Sequence, residues 1–451
     1  MLFSSLTFLL YFLPAVVLIH YFLPERWQNG FLLAASLLFY AWGDVQQVPL
    51  FVVMLTAGWA LGRLIERSRS RAARRWLLAA GLVLDLGTLF FYKYTGFFLE
   101  TIGLDTGFSM ALPLGISFFA FQAAGYLIDV YRDETPAEKS LVAFGTFLFL
   151  FPQLIAGPIM RYSDLSGALH RRRRPDAHAL NTGMAYFTAG LAAKVLLANP
   201  MGAAYETLRA VPGDMLCAWL SLGSYTLQIY FDFMGYSVMA VGLGRMLGFE
   251  FRHNFHDPYS ARSIKDFWRR WHITLSGWFR DYVYIPLGGS RRGRLRTVLN
   301  LLCVWCLTGL WHGADWTFVL WGLWYFVLLC AENAMPSLPK KLPAALARLL
   351  TMLCVMLGWA LFVSDGLGDF LLYLGDLFSF RFASTGLFWL REYAILFAVG
   401  IAVCIPAVTG FVKRQLGKHS VLCAAAVLAT MLLCLAWLAN STYNPFLYFR
   451  F

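Results

Sequence analysis

The sequence predicts an all-α polytopic integral membrane protein, with about eleven transmembrane helices plus re-entrant and amphipathic ones. Three observations predict it. Hydrophobic residues fill 59% of the 451 positions and Asp, Glu, Lys and Arg only 14%, against about 45–50% and about 25% in ordinary soluble proteins. Mean hydropathy is +0.61, far too apolar for a soluble surface to hide. Apolar runs recur along the whole chain, separated by short basic stretches. The same composition excludes a disordered chain, a collagen-like repeat and a disulfide scaffold.

The runs fall at 3–23, 31–42, 48–65, 76–98, 112–130, 140–160, 181–200, 214–248, 297–312, 316–331, 349–364, 393–412 and 421–438. A span needs about 20 apolar residues. The first run follows Met1-Leu-Phe-Ser-Ser, which carries no basic residue, so it reads as a transmembrane helix and not as a cleaved leader. The runs at 31–42 and 297–312 are short for a crossing and are expected to be broken, re-entrant or enclosed by protein. Five arginines lie within 66–75, which places that loop in the cytoplasm. Counting back through three spans puts the N-terminus outside, and the basic loop Lys413–Lys418 leaves the C-terminus outside as well. Simple alternation beyond Arg75 would strand Arg161 and Arg171–Arg174 on the outer side. A re-entrant 140–160, interrupted by Phe151-Pro152 and Gly157-Pro158, removes that conflict. No internal repeat is evident, which disfavours a transporter built from repeated halves.

The net charge is +12 and the pI about 9.4. The bases sit in short runs between apolar segments, as cytoplasmic loops do, so anionic membrane lipids are the expected partner and nucleic acid is not. Arg291-Arg-Gly-Arg294 reads as another such loop. The eight cysteines lie mostly within apolar stretches and are expected to pack as small buried residues. Cys303-Val-Trp-Cys306 has no second CxxC partner, and no metal site is expected.

Residues 250–296 differ from the rest, being polar, basic and aromatic between apolar neighbours. Ser263–Arg280 reads as one amphipathic helix. Ile264, Phe267, Trp268, Trp271, Leu275, Trp278 and Phe279 share one face, while Lys265, Asp266, Arg269, Arg270, Ser276 and Arg280 share the other. His272 falls on the boundary. Ser263, with Asp266 three residues on, makes a plausible cap. Such a helix is expected to lie in the membrane interface or line a vestibule.

His312 ends an almost wholly apolar segment. An ionisable residue in that position is costly unless something polar meets it, which makes it a functional candidate. A core histidine bonded to a neighbouring helix is the plain alternative. Gly309 and Gly313 beside it would let a backbone or ligand approach closely. His272 is the second candidate, with a headgroup-level surface histidine as its alternative. Together they suggest a base and a positioning or polarising partner. No Ser-His-Asp arrangement and no GxSxG can be assembled. Gly242-Leu-Gly-Arg-Met-Leu-Gly248 follows no strand and reads as small-residue helix packing, not a phosphate loop. Arg262, Lys265, Arg269, Arg270 and Arg280 could bind phosphates, or anionic lipid. Asp85 with Lys93, and Asp129 and Asp232, are expected to form structural pairs.

Several segments taken together resemble the membrane-bound O-acyltransferases, nearest their bacterial alginate O-acetylation branch. They are Pro113-Leu-Gly-Ile-Ser-Phe-Phe-Ala-Phe-Gln122, Gly125-Tyr-Leu-Ile-Asp-Val-Tyr-Arg132, Ile155-Ala-Gly-Pro-Ile159, Phe231-Asp-Phe-Met-Gly-Tyr-Ser237, Asp266-Phe-Trp-Arg-Arg-Trp-His272, Phe279-Arg-Asp-Tyr-Val-Tyr-Ile-Pro-Leu-Gly-Gly289 and Thr308-Gly-Leu-Trp-His-Gly313. The similarity runs from the first span to the terminal Asn444-Pro-Phe-Leu-Tyr-Phe-Arg-Phe451. One departure is Gly235-Tyr-Ser-Val-Met239, where the pattern is expected to carry an aspartate in place of Val238.

The resemblance implies one transmembrane domain over 1–451 with its catalytic core at about 112–331, a ring of helices whose two funnels meet at a histidine. It assigns the catalytic role to His312 and the second polar position to His272. It implies a cytoplasmic thioester donor, acetyl-CoA in the simplest case, with Lys265, Arg269, Arg270 and Arg280 near its phosphates and no bound cofactor. His312 would take the proton of an acceptor hydroxyl, and His272 would orient the acceptor or polarise the carbonyl. A bacterial inner-membrane location follows, with the acetyl group passed outward to a periplasmic serine-esterase-like partner for an exopolysaccharide such as alginate. D-alanyl, peptidoglycan or cellulose acylation by the same fold stays open, as does a non-enzymatic transporter or a scaffold of a polysaccharide-export complex.

Overall fold

The computed structural model describes residues 1–104, 107, 110–174, 176–337, 341–441, 443–445 and 447. All regular structure among these residues is helical. The chain divides into two compact units, one of Met1–Thr188 with Tyr236–His253, the other of Ala189–Gly235 with Asn254–Phe451.

The first unit begins with a π-helical turn, Phe8–Phe12, running into α1, Leu13–Phe22. Pro24 ends that direction, and α2 spans Glu25–Asp44. A three-residue 3-10 turn, Val45–Gln47, leads to α3, Val48–Arg67, which starts on Pro49. So short a link makes α2 and α3 antiparallel, and Glu25 and Arg67 lie at the same end. Ser70 caps α4, Arg71–Thr101, by accepting from Ala73 N at 3.3 Å. Then come α5, Ile116–Tyr131, and the short α6, Leu141–Phe149, and α7, Phe151–Leu154. The Arg74 guanidinium donates to the Val130 and Tyr131 carbonyls at the end of α5 and to Asp133. A cation on those last carbonyls is well placed against the helix dipole.

Over 140–160 the helix is broken and the chain folds back on itself, the shape expected of a re-entrant segment. Nine residues of α6 rise only about 14 Å, short of the roughly 30 Å of hydrocarbon. Leu150, with ψ 110°, breaks the helix before Phe151-Pro152. The chain leaves from beside Glu138 and comes back to it, for in α8, Tyr162–Leu169, the Tyr162 hydroxyl donates to the Glu138 carboxylate. His170 Nε2 lies 2.7 Å from the same carboxylate. At that end Asn29 donates to the Leu169 carbonyl, and Gln28 exchanges bonds with the Arg173 backbone at 2.8 and 3.1 Å. Arg171–Arg174 therefore share an end of this unit with Arg67–Arg75.

Two long helices contribute to both units: α9, Ala177–Ala192, and, after α10, Asn199–Arg209, the 32-residue α11, Met215–Met246. Within the first unit a Cβ on Gly242 would stand 2.5 Å from the Gly183 carbonyl oxygen and 2.6 Å from Phe187 N. The glycine pattern at 242–248 thus serves a close helix crossing, as expected. Asp85 departs from expectation. It is fully buried in α4 and finds no hydrogen-bond partner among the described residues. A pair with Lys93 does not form, because eight residues of unbroken helix hold them about 12 Å apart along the axis.

In the second unit, α12 spans Ile264–Arg270, α13 Ile273–Phe279, α14 Arg294–His312, α15 Trp316–Ala334 and α16 Ala344–Val363. Four more follow: α17, Leu367–Leu377, α18, Ser384–Val403, α19, Pro406–Lys418, and α20, Ser420–Asn440. The core here is unusually aromatic, with Trp321, Tyr325, Trp359 and Tyr373 essentially inaccessible. Asp232 forms the expected structural pair: it lies 2.7 Å from Lys194, both buried, while its other oxygen accepts from Leu447 N. The cysteines are free thiols.

Among the described residues six helical stretches, one of them running through both α2 and α3 (Glu25–Arg67), are long and apolar enough to cross a membrane, together with the shorter apolar Phe8–Phe22 and Ile116–Tyr131. The expected eleven crossings are not reached on length and composition, because α6–α7 is broken and α11 and α14 carry polar residues along their length. Gly242→Ala should lower stability by about 1–3 kcal/mol through overpacking, measured by thermal unfolding in detergent. Gly410→Ala, with nothing within 4 Å of its Cβ, should not. An unchanged Gly242→Ala melt would contradict the tight crossing.

Candidate active site

The second unit holds both histidines. α14 and α15 cross with almost no side chain between them. A Cβ on Gly309 would lie 2.3 Å from the Phe318 carbonyl oxygen, and one on Gly322 2.3 Å from that of Trp305. Asp315 makes the intervening turn by capping α15, accepting from Thr317 N at 2.8 Å and Thr317 Oγ1 at 2.9 Å. This tight hairpin folds the last residue of α14, His312, inward, where it is 7% exposed. Its ring meets Trp311, Trp321 and Phe362 at centroid distances of 5.0, 5.0 and 5.4 Å, in edge-to-face orientations.

The expected single helix over Ser263–Arg280 is broken. Ser263 caps α12 as expected, accepting from Asp266 N at 3.2 Å. The helix then stops at Trp271, which is extended, and His272 takes the left-handed conformation, φ 45° and ψ 53°. Residues 254–256 run beside the break and satisfy its backbone. His256 N donates to the Arg270 carbonyl at 2.9 Å, and Ile273 N to the Asn254 carbonyl at 3.0 Å. The apolar face of the segment packs into protein. Phe267, Trp271, Leu275 and Phe279 are buried, and Phe267 and Trp271 belong to the main core of the unit. The apolar face was read correctly, but it is enclosed by protein.

Asn254 decides the state of His272. Its Oδ1 accepts from Thr274 N at 3.1 Å and Thr274 Oγ1 at 2.8 Å, capping α13 from outside. A backbone N–H can only donate, so the oxygen of this amide faces the histidine. The His272 Nδ1 at 3.3 Å must then carry the proton. Nε2 is left with its lone pair exposed to the interior and no hydrogen-bond partner among the described residues. Burial pushes the pKa of His272 down to about 3, so the ring is neutral across the ordinary pH range. Phe233 and Trp311 pack on it at 4.7 and 5.7 Å. Trp311 therefore touches both imidazoles. Trp268 Nε1, Trp321 Nε1 and Tyr325 OH in the surrounding aromatic wall are buried donors without an acceptor among the described residues.

The basic candidates fare differently. Arg270 is paired with Asp266 at 2.8 Å, and Arg280 with Asp281 at 2.8 Å. Arg269 is exposed and Lys265 half-buried. Two of the four expected phosphate-binding residues thus already have carboxylate partners. Sequence reasoning missed Asn254 and Thr274, which are brought to His272 only by the fold. The Trp321 and Phe362 contacts of His312 likewise carry no periodic signal linking them to it.

Chemically, the arrangement provides a buried neutral imidazole with a free basic nitrogen and a second imidazole on the same indole. That combination suits proton transfer in a site from which water is excluded. Residues 132–344 match the family described as MBOAT, membrane-bound O-acyltransferase family. The "Probable alginate O-acetylase AlgI" of Pseudomonas aeruginosa is 42% identical over 385 residues, 81% of this chain and 73% of that one. That of Pseudomonas putida is 36% identical over the full length of both. The "Peptidoglycan O-acetyltransferase" of Helicobacter pylori is 34% identical, covering 81% of this chain and 78% of its own.

Asn254→Ala removes an external cap and should cost about 1–2 kcal/mol in thermal unfolding, with Asn254→Asp, which keeps the acceptor, closer to wild type. Stability should also fall with pH between about 6.5 and about 3, because the unfolded His272 binds a proton there and the folded one does not. Asn254→Ala with wild-type stability would contradict the cap.

Proposed function

This chain belongs to the membrane-bound O-acyltransferase family, and on that premise we propose that it moves an acetyl group from a thioester donor to the hydroxyl of an exopolysaccharide such as alginate. The observation that carries the proposal is the pair of buried imidazoles on Trp311, joined to the named activities of relatives that match over most of the chain.

The chemistry follows from the residues. The acceptor hydroxyl oxygen attacks the thioester carbonyl carbon, His312 takes its proton, and the C–S bond breaks to release thiolate. The imidazolium then returns its proton to the thiolate, so the histidine ends as it began. His272, with its lone pair at Nε2, accepts a hydrogen bond from a neighbouring hydroxyl of the acceptor sugar and so holds the attacking hydroxyl, whose own proton points to His312, in line for attack. General-base assistance accounts for about 10²–10⁴-fold, and positioning in a dry site supplies much of the remainder. Acetyl-CoA is the simplest donor.

The arginine-bearing end of the first unit faces the cytoplasm on the positive-inside rule. α2 starts at that end, so α1 reaches it from the outer face and the N-terminus lies outside. In this reading the chain sits in the bacterial inner membrane among anionic lipids, the donor arrives from the cytoplasm, and a periplasmic serine-esterase-like partner completes transfer to the polymer. Peptidoglycan as final acceptor is the second reading, favoured by the Helicobacter pylori relative.

With the gene present, mass analysis of surface polymers should show acetyl esters. His312→Ala should lower transfer by the purified protein about 10²–10⁴-fold with an unchanged melting profile, and His272→Ala should lower it as well. Full polymer acetylation in cells carrying His312→Ala would instead favour a scaffold. Acetyl esters on peptidoglycan alone would select the second reading.

A further inference from the structure

The first unit has a cavity of about 660 Å3 whose basic wall is formed by Arg171, Arg172, Arg173, Arg174 and Arg245. Among the described residues, Asp176 and Glu250 are the carboxylates lining it. The carboxylates do not neutralise the arginines: Arg171, Arg172, Arg174 and Arg245 form no ion pair among the described residues. Elsewhere Arg63, Arg74, Arg209, Arg252, Arg270 and Arg280 each hold a carboxylate within 2.9 Å. Like charges gathered in one concavity repel, and an anion seated among them relieves that repulsion.

The wall is also built, not merely charged. Arg173 is 4% exposed, and its guanidinium is fixed by the Ala168 carbonyl and Asn29 Oδ1, both at 2.7 Å, and by the Phe249 ring at 4.8 Å. Arg245 lies over the Tyr186 ring at 4.5 Å, held at the end of α11. His178 and His253 add donors at the rim. Planar guanidinium forks match phosphate oxygens in pairs. The cavity falls within the range of about 300–1,000 Å3 that holds a drug-sized ligand, and Phe249, Phe251 and Tyr21 line it beside the charges. It therefore has room for a phosphate with an attached body.

We propose that this cavity is a binding site for a phosphate-bearing anion at the arginine-rich end of the first unit. The phosphate has two possible sources, the nucleotide part of a soluble thioester donor or the headgroup of an anionic phospholipid. The donor version rests on the acyl-transfer reading; the lipid version does not.

The test uses the purified full chain in phosphatidylcholine nanodiscs. Coenzyme A and inorganic pyrophosphate are titrated calorimetrically, and retention of phosphatidylglycerol is followed by native mass spectrometry. Arg172→Gln with Arg174→Gln should weaken whichever phosphate binds by about 25-fold, about fivefold for each charge removed. Arg69→Gln with Arg71→Gln, in a separate basic cleft of the same unit lined also by Arg74 and Arg132, should change it little. Arg245→Gln is the second variant should the pair fail to fold. Loss confined to coenzyme A and pyrophosphate assigns the donor; loss confined to phosphatidylglycerol assigns the lipid. His312→Ala should bind as wild type does, so failed catalysis and failed binding are told apart. Wild-type binding of all probes by Arg172→Gln/Arg174→Gln and by Arg245→Gln, or no binding by the wild type, overturns the proposal.

Discussion

One backbone conformation organises the histidine-bearing unit: the left-handed turn at His272. A residue with a side chain costs about 1–2 kcal/mol there. Asn254 supplies what offsets it. Its carbonyl and side-chain oxygen take the N–H groups of Ile273 and Thr274, the Thr274 hydroxyl and His272 Nδ1, and each bond contributes about 0.5–1.5 kcal/mol net. The break lets both short helices bury their aromatic residues around one core. It also delivers a polar ring into that core in a single tautomer. The strain and the chemistry thus have the same source, which is how conformational strain is commonly placed at a working site.

The hairpin of α14 and α15 is the complementary constraint. Glycine-to-backbone contacts at Gly309 and Gly322 leave the two helices no room to slide. His312 is consequently held at a fixed point against Trp321 and Phe362. Trp311 then joins the two halves, its indole packed against both imidazoles. Rigid packing of this kind is what positioning-based rate enhancement needs, since misplacement by about 1 Å is costly. Membership of an O-acyltransferase family gives that geometry its chemical meaning.

Much of this was legible in the sequence, and the exceptions have physical causes. His312 stood out because an ionisable group ended an apolar run, and 140–160 because charge placement demanded a return. Ser263 announced its cap. The break at His272 was hidden because Trp271, Leu275 and Trp278 continue a helical spacing and neither Gly nor Pro marks the turn. Left-handed histidine is dictated by Asn254, 18 residues away in sequence, which no local pattern reveals. The Arg270–Asp266 pair sits at helical i,i+4 spacing, so its self-neutralisation was readable, yet the basic face was weighed as a whole. Asp85 and Lys93 were matched by sign alone, and the length of α4 keeps them apart.

The most direct test of this arrangement is nitrogen NMR of the protein in nanodiscs with 15N-labelled histidine, His272 being assigned by comparison with His272→Gln. The expected spectrum has a protonated Nδ1 and an unprotonated Nε2, unchanged from about pH 8 to about pH 5, where a free histidine would already have charged. A His272 protonated on Nε2, or one that becomes imidazolium within that interval, would contradict it.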